Sequence, residues 1–166
     1  MKFRSVSVTN FRNLDTAQIE LNPRVNIFIG QNGQGKTNFL EAVYFLSHGK
    51  SFRPSNKETL ISKRILENQF ALIKGIFNNE IFETSIESHL TYSKRSLLLG
   101  GKSSQPASIM KHVPLVLFSP ESLAAIKEGP EIRRELIDEL VVISRHENAD
   151  LLSDYSKALR SRNRLL

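Results

Sequence analysis

Eight residues of this chain, Gly30-Gln31-Asn32-Gly33-Gln34-Gly35-Lys36-Thr37, have the types and the order that a polyphosphate demands. A phosphate can be wrapped only where the backbone comes close to it, and Gly30, Gly33 and Gly35 remove the side chains that would prevent this. The freed N–H groups, with the unpaired donors of a following helical turn, form an anion nest at a positive helix end. Lys36 adds a charge that reaches the β- and γ-phosphates. The Thr37 hydroxyl is placed to bind the Mg²⁺ that bridges the same two groups. The octet fits G-x-x-x-x-G-K-[ST] at every specified position.

Such a loop works only between a strand and a helix, and both flanks carry the matching pattern. Val25-Asn26-Ile27-Phe28-Ile29 is apolar at almost every position, as for a strand covered on both faces of a mixed or parallel sheet. After the octet, Phe39, Leu40, Val43 and Leu46 recur at helical spacing, and Gly49 stands where a helix would cap and stop.

Ahead of this unit the chain alternates through Lys2 to Asn10, turns at Phe11-Arg12-Asn13, and alternates again from Asp15 to Leu21, which predicts a hairpin closed by Asn22-Pro23. Beyond it, Asn56 to Ser62 holds a short helix. Gln69 to Phe77 and Glu80 to Glu87 form a second hairpin around Asn78-Asn79, and His89 to Leu99 is a further strand closed by Gly100-Gly101. Ser108 to His112 is a short helix or turn. Pro114 to Phe118 reads as another buried strand, and Ser119-Pro120-Glu121 as a helix start. Glu131 to Ser144 is amphipathic through Ile132, Leu136, Leu140 and Ile143. Asn148 to Leu166 is a second helix, with Leu152, Tyr155 and Leu159 at helical spacing and Arg160, Arg162 and Arg164 carrying positive charge. Its end without a cap reads as a truncated helix.

Several of these residues together carry a resemblance. Phe11-Arg12-Asn13, the octet continuing through Asn38-x-Leu40-Glu41-Ala42, and Ser51-Phe52-Arg53 resemble the N-terminal part of the RecF family of bacterial recombination mediators. Phe118-Ser119-Pro120-Glu121-x-Leu123, Gly129-Pro130, Arg133-Arg134-x-x-x-Asp138 and Leu159-x-x-Arg162-Asn163 extend the likeness, in one order, over nearly the whole chain. The resemblance implies an α/β fold: a P-loop NTPase of the ATP-binding-cassette type, with lobe I built on a mixed sheet plus antiparallel strands and followed by the start of a helical subdomain. It implies an ATP-binding lobe at 1–118 and the beginning of that subdomain at 119–166.

For the site, the resemblance implies that Asn32, Gln34 and Asn38 join Gly30, Gly33, Gly35, Lys36 and Thr37 around ATP, with Arg12 and Asn13 from the hairpin turn. Thr37 is the metal ligand. Arg53 has two readings, one beside the nucleotide and one facing DNA. The family's setting is recombinational repair, replication restart and the SOS response. Its partners are DNA at single- and double-strand junctions, a RecR-type mediator and a second copy in an ATP-dependent dimer, all in the cytoplasm. One departure and one decoy stand out. No glutamine follows Pro114 to Phe118, where cassette heads commonly carry one, so either Glu121 substitutes or that role is unfilled. Asp138-Glu139 looks like a Walker B ending, but Arg133-Arg134-Glu135 lie just upstream and the period around it is helical.

Composition sets the outer bounds. The 166 residues are 40% apolar and 24% charged, as in an ordinary globule with room for one sizeable core. No apolar run is long enough to cross a bilayer, and Met1-Lys2-Phe3-Arg4 opens directly into a strand. The absence of cysteine excludes disulfides and thiolate metal sites, and four histidines without metal spacing leave no imidazole site. A balance of 23 basic against 17 acidic residues, +6 overall, is compatible with a nucleic-acid partner. Two other classes fit a phosphate loop in a chain of this length. A free-standing small kinase or GTPase would need a Walker B aspartate, and a GTPase also an Asn-Lys-x-Asp motif; neither motif is present. A module that binds nucleotide without turning it over needs neither.

Overall fold

The computed structural model describes residues 2–53, 55–62, 70–78, 83–119, 130–145 and 148–165, and the chain divides into two compact units, Met1–Val113 and Pro114–Leu166. The first unit is a six-stranded sheet with a helix across one face. Strands β1 (Lys2–Phe11), β2 (Leu14–Glu20), β3 (Phe70–Asn78), β4 (Glu83–Thr91), β5 (Arg95–Leu99) and β6 (Lys102–Ser103) lie in the order β2-β1-β3-β4-β5-β6. Every named pairing is antiparallel.

Alternation along each strand puts one apolar set on the inner face. In register, Val8, Ile73, Ser88 and Leu97 form one row across the sheet, and Val6, Gly75 and Ile86 the next. Helix α1 (Lys36–His48) covers these rows with Phe39, Ala42, Phe45 and Leu46, all buried. Gly75 leaves room for Leu46 of the helix and Phe3 of β1: a Cβ there would lie 2.9 Å from Leu46 Cδ1 and 2.5 Å from Phe3 Cε1. Helix α1 ends as the sequence predicts, on Gly49 in the left-handed region with its N–H on the Phe45 carbonyl at 2.8 Å. Helices α2 (Lys57–Leu60) and α3 (Pro106–His112) close the edges of the core with Leu60 and Ile109.

Most of the predicted elements are present, and four differ. Strand β4 runs on to Thr91, so His89 belongs to it and not to the strand after it. Thr91 and Lys94 turn the chain, Thr91 N–H donating to the Lys94 carbonyl at 2.8 Å and Thr91 Oγ1 accepting from Lys94 N–H at 2.9 Å. Helix α3 begins at Pro106, because proline suits a first helical position. The remaining two differences concern the mixed sheet. Val25 to Ile29 belongs to no strand and is largely exposed, with Ile27 at 77% and Ile29 at 90%; only Phe28 turns inward, its ring 5.2 Å from that of Phe39. Pro114 to Phe118 is likewise unpaired, with Phe118 at 79%. Strands of this kind need neighbours on both edges and cover on both faces, and no described residue supplies them.

In the second unit, α4 (Pro130–Ser144) and α5 (Asn148–Leu165) form a helical hairpin. Asn148 Nδ2 donates to the Val141 carbonyl at 2.8 Å across the turn. Asp138 lies within α4 and is exposed, as a helical reading of Leu136 to Glu139 requires. Leu152 and Leu159 are half-buried, whereas Tyr155 and the three arginines of α5 face solvent. Glu121 and Pro120, and with them the predicted helix start, lie outside the described residues.

Candidate nucleotide-binding site

The glycine loop joins the exposed segment at Ile29 to the first turn of α1. Gly30, Gly33 and Gly35 have φ of 158°, 82° and 96°. The last two lie where side chains are disfavoured. Gly35 is also a packing glycine: a Cβ there would meet Leu14 Cδ2 at 2.5 Å and Asn13 Oδ1 at 3.0 Å. Gly35 caps α1 without any side-chain acceptor, so the first-turn N–H groups have no side-chain cap competing for them. Lys36 folds back over the loop, its ammonium donating to the Gly30 and Gln31 carbonyls at 2.7 and 2.8 Å. Gln31, Asn32, Gly33, Gln34 and Thr37 are exposed, so the loop is open to a ligand.

The turn between β1 and β2 buttresses this loop. Asn13 Nδ2 donates to the Gly33 carbonyl at 2.7 Å, and Asn38 Nδ2 donates to Asn13 Oδ1 at 2.6 Å. The turn itself is unusual. Asn10 and Arg12 both have left-handed φ, 56° and 58°, which non-glycine residues adopt at a cost. Residues 60–62 hold it: Arg12 N–H donates to Leu60 O and Ser62 N–H to Asn10 O, both at 2.8 Å, around a bridge between Phe11 and Ile61.

Arg12 and Arg53, expected beside nucleotide or DNA, meet on a residue to which the sequence assigned no role. Glu41, fully buried on α1, accepts from Arg12 Nη2 at 2.6 Å, from Arg12 Nε at 3.1 Å, from Ser51 Oγ at 2.5 Å and from Arg53 Nη2. Burial opposes its ionisation, but the hydrogen bonds from Arg12, Arg53 and Ser51 outweigh it and hold the carboxyl below its usual range. Arg53 Nη2 also donates to Asn38 Oδ1 at 2.6 Å, so this arginine lies against the first turn of α1. The available signal was the one acidic residue of α1, set between Leu40 and Ala42.

Beside Arg53 opens a cavity of about 350 Å³, whose polar lining is Lys50, Ser51, Arg53, Ser55, Thr91 and Arg95. No acidic side chain lines it among the described residues. Arg95 is fixed there by a hydrogen bond to the Gly49 carbonyl. Three cations and three hydroxyls suit a phosphate group. No three His, Asp or Glu side chains cluster as a metal site among the described residues. No described helix is long and apolar enough to cross a membrane.

Residues 2–123 match the family model for the RecF/RecN/SMC N-terminal domain. The chain belongs to that family. It is 36% identical over its whole length to the DNA replication and repair protein RecF of Clostridioides difficile, of which it covers 44%. It is 35% identical to the RecF of Staphylococcus haemolyticus, again over its whole length and 44% of that protein. Among solved structures, the recombination mediator protein RecF with ATP, from the RecFOR pathway, superposes with a TM-score of 0.85 at 32% identity, over 98% of this chain and 45% of that one. The SMC head domain of Thermotoga maritima shares the fold, with a TM-score of 0.56 at 19% identity over 68% of this chain and 42% of the other. The chain thus spans less than half the length of the relatives it matches.

Proposed function

We propose that this chain is the N-terminal nucleotide-binding part of a RecF-type DNA-repair ATPase, with residues 1–118 as its ATP-binding lobe and 119–166 as the start of a helical subdomain. The observation that carries the reading is the open glycine loop, with Lys36 over its mouth and α1 uncapped behind it, in a chain whose solved relative is a RecF with ATP. ATP occupies the loop from Gly30 to Asn38, with the Arg12-Asn13 turn beside it. The residues fit Mg²⁺ in part: the exposed Thr37 hydroxyl and the nucleotide's own phosphates supply ligands, while no carboxylate cluster completes the set among the described residues. DNA lies on the basic surface around Arg53 and its cavity. A RecR-type mediator and a second copy complete the assembly in the whole protein, in the cytoplasm.

Turnover needs more than the cradle. A second carboxylate must fix the metal and a further group must orient the attacking water. Asp138 lies on helix α4 and not at the end of a Walker B strand. The 166-residue chain therefore binds ATP and hydrolyses almost none, and hydrolysis requires the Walker B and signature elements that the resemblance assigns to C-terminal sequence. Fluorescent-ATP titration and phosphate release, each beside a Lys36→Ala control, test this. Removing the Lys36 charge should weaken binding by about 1.5–3 kcal/mol. Equal affinity of the two proteins would remove the assignment, and Lys36-dependent phosphate release would show a catalytic carboxylate within the chain. DNA binding at Arg53 should fall with salt, by a log–log slope of about −0.9 per phosphate contact.

A further inference from the structure

The nucleotide end of the first unit contains a buried carboxylate that the phosphate-binding pattern does not use. Glu41 lies one helical turn beyond Thr37 and has no solvent exposure. Its two oxygens gather donors from two segments distant in sequence, Arg12 of the hairpin turn and Ser51 and Arg53 of the loop after α1. From Arg53 the hydrogen bonds continue to Asn38, from Asn38 to Asn13, and from Asn13 to the Gly33 carbonyl inside the glycine loop.

The charges in this cluster are unequal: two guanidiniums face one carboxylate. Stability alone does not call for such a group, since an apolar residue of similar volume serves a core as well or better. What a buried carboxylate adds is direction, because its lone pairs fix planar guanidiniums at defined angles. Arg53 is left with unused capacity. Its Nε is buried without a partner, and about a third of its side chain remains open to solvent. An incoming phosphate would find this arginine already aimed along the first turn of α1.

We infer that Glu41 is a positioning residue for the phosphate site, acting through Arg12 and Arg53 and, along Asn38 and Asn13, on the carbonyl of Gly33. The inference rests on the nucleotide reading given above. Glu41 itself touches no phosphate. Without its carboxylate the two guanidiniums repel each other, Ser51 keeps the Arg53 carbonyl as acceptor but loses Glu41, and the loop from Lys50 to Arg53 loses two of its ties to α1 while the Arg53–Asn38 bond remains.

The test is Mg-ATP titration of the 166-residue chain as parent, Lys36→Ala, Glu41→Gln, Arg53→Ala and the Glu41→Gln/Arg53→Ala double variant, with thermal unfolding of each. Glu41→Gln should weaken ATP by about tenfold, the size of one lost charge-assisted hydrogen bond. The double variant should be weakened by much less than the product of the two single effects, because Glu41 works through Arg53. Ser51→Ala keeps both guanidiniums on Glu41 while removing one of its donors together with the hydroxyl's bonds to the Arg53 backbone, and should weaken ATP by about threefold; it carries the test if Glu41→Gln does not fold. Unchanged affinity in whichever of these two variants folds, with Lys36→Ala impaired, would overturn the inference while leaving the nucleotide reading intact. Fully multiplicative effects in the double variant would also overturn it. A parent chain that binds no ATP would remove the nucleotide reading, and the inference with it.

Discussion

Two stretches of the first unit carry strand-forming sequence and are used in opposite ways. From Lys2 to Glu20 the residues alternate, and the chain folds back on itself, pairing Val6 with Ile19 and Val8 with Ala17 while Val6 and Val8 enter the core. From Val25 to Ile29 the residues are apolar almost throughout, yet the segment is unpaired and Ile27 and Ile29 face water. An alternating strand asks for one covered face and a partner that a short turn can deliver. A doubly apolar strand asks for two covered faces and two neighbours, which a hairpin cannot provide. The first requirement is met within the described residues and the second is not.

The comparison can be broken most severely at Phe11, where β1 ends against α1. Its ring is fully buried, 6.2 Å from that of Phe45. Phe11→Ala should cost about 3–5 kcal/mol in urea unfolding, the range for large-to-small changes in a closed core. A cost below 1 kcal/mol would mean that this core is not closed.

A smaller effect should come from pH, at the far end of α1. His48 stacks on Tyr44 with ring centroids 3.9 Å apart, and its Nε2 is buried without a partner. Burial keeps the imidazole neutral and lowers its pKa from 6.5 to about 4. The unfolded chain takes up a proton below about 6.5, and the folded one only near 4, so stability should fall as pH falls through that window. Between pH 7.5 and 5 the loss should be about 2 kcal/mol, and His48→Phe should remove it. Glu41 contributes in a separate, lower window. Its folded pKa lies below 4.5, so its stabilisation is present above 4.5 and is lost as pH falls through the folded value.

Local patterns made the elements legible, and tertiary links did not. The hairpin of β1 and β2, the span of α1 and its Gly49 cap, and the helical setting of Asp138 all follow from period and capping residues within a few positions. The boundary between β4 and β5 was missed because Tyr92-Ser93-Lys94 contains no glycine, proline or asparagine to mark a turn. The turn is made by bonds between Thr91 and Lys94, one through the backbone and two through the Thr91 hydroxyl. At the site, the glycine loop announces itself in eight residues. The clasp of Arg12, Glu41, Ser51 and Arg53 does not, because its members are 10 to 29 residues from Glu41 and share only a place in space.

Within the loop, Gly33 and Gly35 sharpen the comparison between packed and open backbone. Both have left-handed φ, but a Cβ on Gly33 would meet nothing within 4 Å, whereas one on Gly35 would press on Leu14 and Asn13. Gly33→Ala should cost about 1 kcal/mol for the backbone conformation alone, and Gly35→Ala about 2 because the hairpin turn must also move. Equal costs in thermal unfolding would show that the loop is not seated on β2.

The smallest effect belongs to the segment that looks most important in sequence. In a buried central strand, replacing Ile27 and Ile29 by serine would remove two large apolar side chains and cost several kcal/mol. Here both side chains already face water, so little burial is lost on substitution, and the Ile27→Ser/Ile29→Ser chain should unfold within about 0.5 kcal/mol of the parent. An unpaired apolar segment is also a surface on which copies of the chain can associate. The double variant should therefore sediment as a smaller or more uniform species at high concentration, although its stability is unchanged. Phe28→Ala provides the internal control, since that ring packs on Phe39 and its loss should be felt where the isoleucines are not. If the isoleucine variant instead lost as much stability as Phe11→Ala, Val25 to Ile29 would be buried in solution, and the contrast between the two stretches would disappear.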